Sequence, residues 1–454
     1  MTVTAPKRQT PEALVAPLLV ERIGRAAMNG GLSGPGGGAL ETTADVLLLD
    51  AVEARATDIH LDPRSDGCRV RFRIDGRLHD AAMLSLEQGQ RLVRHFKNMA
   101  GMDAAGPFCP VDARLAHGVG DRRLDLRLAT APACAGEKMV IRLFDPRGAV
   151  RNLSELGLTD EHRRQIEDWL VNIRGMFVVT GPTGSGKTTT LYALLHDLNR
   201  NDRCVVTIEE PVEYQIDGMT QIQVDHRHDL HFAEGLRAML RLDPDYLMTG
   251  ELRDAAAAKA AVESCGGGRP LLTTIHAADA AGAITALRNL ELTEHQVATS
   301  LRMIVAQRLV RRLCLNCRRQ EPMTDADRHW LALVGLPTTA KQQWTAGACN
   351  ICRGTGYVGR TGIFEVWRLD DEDMDPIIDH RDERALRRHI ANRRVCSLLH
   401  DAYRKAEQGI TSLEELKAIA PSYPTPPSAL ATPVGPKRRA RAGPKTRHAR
   451  RTLR

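Results

Sequence analysis

Two hydrophobic periodicities distinguish the first third of the chain. Apolar residues recur at helical spacing from Ala44 to about Ala56 and around residues 86 to 101, which predicts amphipathic helices. Elsewhere apolar and polar residues alternate, as in CRVRFRIDG and RRLDLRLAT, and a period of two is typical of half-buried strands. The pattern predicts a sheet-rich α+β unit that ends near Asp145.

Short, wholly apolar runs replace this alternation further along the chain. FVVT, CVVTIEE, YLMTGE and PLLTTIH are separated by stretches of helical spacing. Strands that are apolar on both faces and alternate with helices predict a parallel sheet covered on both sides. Helical spacing resumes after Cys352, which predicts a helical end to this unit.

The two ends of the chain are rich in glycine, proline or basic residues and have too few apolar residues to form a hydrophobic core. Residues 1–43 include the run GGLSGPGGGAL, which predicts a flexible leader. A Pro-rich linker begins at residue 421, and residues 437–454 hold nine lysines and arginines and no acidic residue. This tail explains the net charge of +7, because the rest of the chain is slightly acidic. It can bind nucleic acid or an anionic membrane surface, or remain a solvated disordered tail.

Length and hydropathy limit the class of protein. The chain has 454 residues, of which 43% are apolar, and it can form two or three domains. No stretch reaches the roughly 18 consecutive apolar residues of a membrane-spanning helix, and the N-terminus has no signal-peptide pattern. These features predict a cytoplasmic protein, which can dock on a membrane-embedded partner.

A phosphate-binding loop lies between the first apolar strand and the following helix. Residues 181–188, GPTGSGKT, fit the pattern GxxxxGK[ST] at every position. Glycines let successive backbone N–H groups point at phosphates, and the helix N-terminus adds partial positive charge. Lys187 is predicted to reach the β- and γ-phosphates of ATP, and the Thr188 hydroxyl to hold Mg²⁺. The predicted nucleotide contacts are Gly181, Pro182, Thr183, Gly184, Ser185, Gly186, Lys187, Thr188 and Thr189.

Three other apolar strands end in polar residues. CVVTIEE ends in Glu209 and Glu210, YLMTGE in Glu251, and PLLTTIH in His276. Parallel strands deliver the residues at their C-terminal ends to the edge of the sheet that carries the phosphate loop. A carboxylate there can order Mg²⁺ or polarise the attacking water, and a histidine can stabilise the γ-phosphate. The alternative for each residue is a solvated charge at a strand end.

Two CxxC pairs indicate a metal site. Cys314 and Cys317 form the first pair, Cys349 and Cys352 form the second, and 31 residues lie between the two pairs. Four thiolates from two such turns make a tetrahedral site suited to Zn²⁺. The long separation predicts a small helical insert between them. Four unligated thiols or a redox pair are the alternatives.

The motifs together resemble those of the type II secretion and type IV pilus assembly ATPases, over about residues 44 to 420. The resemblance rests on a Walker A motif, an acidic box, a Walker B segment and a histidine box. In order, these are GPTGSGKTTTLYALL, TIEEPVEYQIDGMTQIQV, LRLDPDYLMTGELRD and TTIHAADAAGAITAL. TDIHLDP and VRFRIDGRL are similar to parts of the family's N-terminal domain, and GRTGIFEV and GITSLEEL to its C-terminal part.

The resemblance implies an α/β fold with a RecA-like P-loop ATPase domain, a sheet-rich α+β N-terminal domain and a four-cysteine zinc element. It implies a homohexameric cytoplasmic motor, peripherally associated with the inner membrane. That motor would power pseudopilus or pilus assembly and protein secretion through inner-membrane platform proteins. Glu251 would be the catalytic carboxylate, with Glu209 and Glu210 assisting. Arg127 and Arg142 would face the nucleotide from the N-terminal domain, with exposed strand charges as the alternative.

These patterns predict six segments. They are a flexible leader (1–43), the N-terminal domain (44–148), the ATPase core (149–313), the zinc element (314–352), a C-terminal helical part of the ATPase domain (353–420), and the Pro-rich linker with its basic tail (421–454).

Two rival functions stay open at this stage. The P-loop, the cysteine pairs and the basic tail also suit a nucleic-acid-stimulated motor. The near-neutral body and an aromatic content of 4% argue against nucleic acid as a partner. Alternatively, the chain is a ring protein that binds ATP and hydrolyses it weakly. Ala277 and Ala278 in the histidine box, and the turn at residues 111–114, depart from the family pattern and favour that reading.

Overall fold

The computed structural model describes residues 43–104, 110–120, 122–144, 152–171, 174–199 and 202–420. The predicted basic tail, and all but the last residue of the predicted leader, lie outside these ranges. Within them, no helix has both the length and the apolar character that crossing a membrane requires.

The first unit is a six-stranded antiparallel sheet with two helices. Helices α1 and α2 pack on the sheet and on each other, and the Ser85 hydroxyl caps α2 by accepting from the Gln88 N–H. Phe72 of β2 and Phe96 of α2 lie in the shared core, as the alternating and helical patterns respectively predict. The elements are α1 (Thr43–Glu53), β1 (Ala56–Arg64), β2 (Gly67–Ile74), β3 (Arg77–Leu84), α2 (Leu86–Met99), β4 (Val111–Val119), β5 (Arg122–Ala133) and β6 (Gly136–Phe144). The strand order is β3-β2-β1-β6-β5-β4.

The second unit is built on six parallel strands. They are β7 (Met176–Thr180), β8 (Val205–Glu209), β9 (Thr220–Gln223), β10 (Tyr246–Thr249), β11 (Leu271–Ile275) and β12 (Leu301–Leu313). Their order is β12-β7-β11-β10-β8-β9, so one strand separates β7 from β10. Successive residues of β7 enter different cores, Met176 and Val178 on one face and Phe177 and Val179 on the other. Burial on both faces explains why these strands are uniformly apolar.

Helices cover both faces of this sheet. They are α3 (Asp160–Val171), α4 (Lys187–Leu198), α5 (Phe232–Met239), α6 (Ala255–Gly266), α7 (Ala280–Asn289) and α8 (Glu294–Ser300). Asp254 and Asp279 cap α6 and α7 by accepting backbone N–H bonds. The predicted parallel α/β unit is confirmed.

The segment between the two cysteine pairs holds the predicted helix, α9 (Asp325–Leu333). It also holds a two-stranded antiparallel ribbon, β13 (Arg319–Pro322) and β14 (Gln342–Thr345), which the sequence pattern did not predict.

The expectation that helices resume directly after Cys352 is wrong. Strand β15 (Tyr357–Arg368) comes first and pairs antiparallel with β12, at the edge of the large sheet. Ile363, Phe364, Val366 and Trp367 are all buried, so the strand shows no alternation by which to recognise it. The expected helices then follow as α10 (Asp371–Ile378), α11 (Glu383–Asn392), α12 (Leu398–Glu407) and α13 (Leu413–Ile419).

Candidate functional site

The phosphate loop lies between β7 and α4, in the setting that its motif requires. Gly186 has φ of 88°, in the left-handed region that favours glycine, and α4 begins at the next residue. A Cβ atom on Gly181 would lie 2.4 Å from the backbone oxygen of Gln307. The loop therefore needs glycine at both positions, one for its backbone angle and one for its close approach to β12.

Gln307 on β12 fastens the loop to the sheet. Its buried amide donates to the backbone oxygen of Ser185 at 2.9 Å, and it accepts from the Thr190 hydroxyl at 2.6 Å. Sequence reasoning missed this residue. A lone glutamine within the apolar run MIVAQRLV was the signal that could have indicated it, since buried amides need hydrogen-bond partners.

Two nitrogen-bearing side chains converge over the loop. The Lys187 ammonium donates to the backbone oxygen of Gly181 at 2.9 Å and lies 3.5 Å from Nδ1 of His276. Burial lowers the pKa of Lys187, and burial together with the charge of Lys187 lowers the pKa of His276. His276 is therefore neutral near pH 7. Among the described residues no carboxylate pairs with Lys187, so an anion such as a polyphosphate would compensate its charge.

Glu251 follows the end of β10 and completes this cluster. Its carboxylate lies 3.4 Å from Nε2 of His276, which follows the intervening strand β11. The strand order thus places His276 between the phosphate loop and Glu251. The structure brings together Lys187, His276 and Glu251, as the rule for parallel strand ends predicts.

Arg253 links two half-buried carboxylates of the site, Glu210 and Glu251. Its guanidinium contacts Glu251 through Nε and Glu210 through Nη1, and it lies 5.8 Å from the centre of the Phe232 ring. Sequence reasoning did not single out this arginine. One guanidinium shared by two carboxylates screens their mutual repulsion and holds both at the edge of the sheet.

Glu209 points away from this cluster although it neighbours Glu210. Its side chain is buried and accepts hydrogen bonds from Tyr192, Thr207 and Gln221. Burial raises the pKa of Glu209. The structure therefore brings Glu210 to Glu251 and leaves Glu209 in a separate, buried hydrogen-bond network.

Replacing Tyr192 with phenylalanine removes one donor from this buried carboxyl group. We expect a loss of about 1–3 kcal/mol in the free energy of unfolding, the usual cost of leaving a buried polar group short of a partner. Urea unfolding would measure it. Tyr246→Phe is the matched control, because the hydroxyl of Tyr246 makes no hydrogen bond to any of the described residues. Equal effects of the two substitutions would contradict the assignment.

Arg127 and Arg142 lie in one row across the first sheet. The strand registers pair Arg114 of β4 with Arg127 of β5, and Arg127 with Arg142 of β6. Arg127 forms an ion pair with Glu213, and Arg142 pairs with Asp58 at 3.0 Å while its side chain stays 66% exposed. Sequence reasoning did not include Arg114 among the site residues. Such a row of cations favours an anionic ligand.

The arginine row borders a cavity of about 540 Å³ that reaches Pro211, the residue after Glu210. Burial and the neighbouring charge of Arg127 lower the pKa of Arg114, which nonetheless stays a cation at neutral pH. The row therefore lies beside the acidic segment of the second unit.

Aromatic contacts also connect the two units, close to the arginine row and the acidic segment. The ring of Phe144, at the end of β6, stacks on Tyr214 with centroids 5.6 Å apart. Tyr214 in turn meets the ring of Tyr192 edge-on at 4.7 Å. Tyr192 belongs to α4, the helix that begins at Lys187. A continuous path of contacts thus runs from the first sheet to the helix of the phosphate loop.

The four cysteines of the two CxxC pairs meet as the spacing predicts. All four Sγ atoms lie within 4.8 Å of one another, and the Sγ atoms of Cys349 and Cys352 are 3.7 Å apart. Four sulfurs at the zinc–sulfur distance of about 2.3 Å in a tetrahedron are roughly 3.8 Å apart. The backbone N–H of Gly356 donates to Cys352 Sγ at 3.2 Å. The donor set fits one tetrahedral metal ion with no open position.

A sequence model of the family described as type II/IV secretion system protein matches residues 36–418. The chain belongs to this family. The resemblance drawn from the motifs and the predicted fold class are both confirmed.

Curated relatives agree along most of the chain. Type II secretion system protein E of Aeromonas hydrophila is 38% identical over 375 residues, which cover 83% of this chain and 74% of the relative. Type II secretion system ATPase E of Vibrio cholerae is 38% identical over 378 residues, with the same coverage. With an intact phosphate loop, this chain is an ATPase of the secretion family.

Solved structures share the fold. The ATPase DotB of Legionella pneumophila superposes with a TM-score of 0.61 at 22% identity, over 85% of this chain and 98% of that one. The pilus retraction motor PilT with bound ADP gives a TM-score of 0.56 at 21% identity, over 83% and 96% of the two chains.

Proposed function

We propose that this ATPase is the cytoplasmic motor of a type II secretion or type IV pilus machine. It works as a homohexameric ring that powers pseudopilus or pilus assembly and protein secretion through inner-membrane platform proteins. The convergence of Lys187, His276 and Glu251 at one sheet edge carries the proposal, because it supplies the groups that ATP hydrolysis needs. The names of the curated relatives support the type of machine.

The chemistry is the attack of water on the γ-phosphorus of ATP. Lys187 and the N–H groups of the loop bind the phosphate oxygens. Neutral His276, whose Nδ1 faces Lys187 and whose Nε2 faces Glu251, positions both groups beside the γ-phosphate. Glu251 accepts a proton from the attacking water as the bond from the γ-phosphorus to the bridging oxygen breaks. The exposed hydroxyl of Thr188 would hold Mg²⁺, which neutralises charge on the β- and γ-phosphates.

Movement of the first sheet supplies the mechanical step. Arg127 is paired with Glu213, and closure of the sheet over the nucleotide would transfer it to the phosphates. The path through Phe144, Tyr214 and Tyr192 links that movement to α4. Neighbouring subunits in a ring would hold the closed arrangement, so that hydrolysis moves one unit against the other.

The function is tested with purified full-length protein and its membrane partners. We expect Mg²⁺-dependent ATP turnover and capture of an inner-membrane platform protein from detergent-solubilised membranes. Strong stimulation by single-stranded DNA would favour a nucleic-acid motor instead. A single-turnover assay at saturating Mg-ATP that shows bound but intact ATP would favour the weakly hydrolysing ring protein.

We also propose that the four cysteines hold a structural Zn²⁺ ion. The site has four protein ligands and no open position, which is typical of structural zinc. The residues beside it also pack against other parts of the chain. Arg318, next to Cys317, donates to the backbone oxygen of Gly409 and lies 4.6 Å from the centre of the Trp344 ring. The ion would thereby fix the insert between the cysteine pairs against the C-terminal helices.

Removal of the thiolates will remove the metal. Purified protein should contain about one zinc ion per chain, and the double substitution Cys314→Ser with Cys349→Ser should lose it and lower the midpoint of thermal unfolding. Elemental analysis and calorimetry measure the two effects. Cys134→Ser, at an exposed cysteine outside the cluster, is the control and should retain the zinc. Protein prepared without chelator that holds no zinc would refute the assignment.

A further inference from the structure

A turn that carries three histidines follows β9, beside Glu210. Backbone hydrogen bonds join Asp225 and Leu230 in both directions, at 3.0 and 3.1 Å, and Asp229 takes the left-handed conformation with φ of 54°. His226 and His231 each follow one member of this bonded pair. The turn therefore holds the two imidazoles side by side, with ring centroids 5.1 Å apart.

The imidazole nitrogens are arranged as in a metal site. Nδ1 of His226 lies 3.1 Å from Nδ1 of His231. Two imidazole nitrogens bound to one metal ion at about 2.1 Å are separated by roughly 3.0 Å at a right angle and 3.4 Å in a tetrahedron. The observed separation lies within that interval.

Glu210 supplies the outer partner that such sites use. Its carboxylate contacts Nε2 of His226, on the side of the ring opposite to Nδ1. A histidine that binds a metal through one nitrogen usually donates its other N–H to a carboxylate, which fixes the tautomer and raises the basicity of the ligand. Here that arrangement places the proton of His226 on Nε2 and leaves its Nδ1 unprotonated, as a metal ligand must be.

We propose that His226 and His231 bind a divalent transition-metal ion, Zn²⁺ or Ni²⁺, at a site separate from the four cysteines. Imidazole is a preferred ligand of these ions. The two side chains are 63% and 50% exposed, so water can fill the remaining coordination positions. The third histidine of the turn, His228, is engaged differently, because its Nδ1 contacts the Asp225 carboxylate at 2.8 Å.

The metal would act on the ATPase site through the contact of His226 with Glu210 and the contact of Glu210 with Arg253. This effect rests on the proposed role of Glu251. A cation on Nδ1 makes the Nε2–H of His226 a stronger donor, which draws Glu210 toward the histidine. Arg253, shared by Glu210 and Glu251, would then pair more fully with Glu251. A carboxylate held in an ion pair is a weaker proton acceptor, so the bound metal should slow ATP turnover.

The test is calorimetric titration of full-length protein without a polyhistidine tag, with Ni²⁺ as the probe. His231→Ala removes one ligand and leaves the contact between His226 and Glu210 in place. We expect it to weaken this binding event at least about tenfold. His228→Ala is the matched control from the same turn and should bind Ni²⁺ as the unmodified protein does. Equal binding by His231→Ala and the unmodified protein would overturn the site.

Turnover measured with and without Ni²⁺ tests the coupling. Ni²⁺ should lower the rate in the unmodified protein and in His228→Ala more than in His231→Ala, since any competition with Mg²⁺ is common to all three. If Ni²⁺ binds but slows ATP turnover equally in all three proteins, the proposed effect of the metal on the ATPase site is wrong. If the unmodified protein does not hydrolyse Mg-ATP in the absence of Ni²⁺, the proposed function fails, while the titration still decides the metal site.

Discussion

Replacing Glu251 with glutamine will leave ATP bound and nearly stop its hydrolysis. Glutamine has the shape of glutamate and can still hydrogen-bond to His276 and Arg253, but it cannot accept a proton from water. Loss of a general base costs about 10²–10⁴-fold in rate. We therefore expect kcat to fall by that factor while the ATP dissociation constant changes little. Steady-state kinetics and equilibrium binding on the same preparation measure both quantities.

Two further variants make this result specific. Lys187→Ala should abolish turnover and also weaken ATP binding, because the ammonium contacts the phosphates before and during the reaction. Glu263→Gln, at an exposed glutamate on α6 outside the cluster, should behave as the unmodified protein does. Hydrolysis by Glu251→Gln at the unmodified rate would remove Glu251 from the reaction.

The sequence predicts the centre of this site well because its determinants are local. The phosphate loop is one continuous segment whose glycines, lysine and threonine each have a stated role. Glu251 and His276 come from separate strands, but parallel strands deliver their ends to one edge whatever their order. Their meeting could therefore be predicted without knowing that β11 lies between β7 and β10.

Other features depended on tertiary contacts that no local pattern contains. Glu209 and Glu210 are adjacent in the chain, and the donors that hold Glu209 inward include Tyr192 and Gln221, which are distant from it in the sequence. The bridging role of Arg253 requires Glu210 and Glu251 to be neighbours in space. Strand β15 was missed because both of its faces are buried, so the period of two is absent. Unlike β7 and β11, β15 is not a wholly apolar run either, because Arg360, Thr361 and Glu365 lie within it.

Arg127→Ala should reduce turnover far more than it reduces ATP affinity. The phosphate loop binds nucleotide within the second unit, whereas Arg127 lies on the first sheet and pairs with Glu213. Its charge would matter only when the sheet closes and negative charge develops on the phosphates. An arginine that stabilises this charge is worth about 10³-fold or more in rate. Arg123→Ala, on the same face of the same strand, is the control and should have little effect.

The dependence on Arg127 should also depend on assembly. Nothing in the described contacts obliges the first sheet of an isolated subunit to close over the nucleotide, whereas neighbours in a ring can hold it there. Activity per chain should therefore rise with protein concentration as the ring forms. Arg127→Ala should flatten that rise, because closure without the guanidinium gains no catalysis. Turnover across a dilution series, with the oligomeric state followed by light scattering, measures this. A monomeric sample that hydrolyses ATP as fast per chain as a concentrated one would eliminate the ring mechanism.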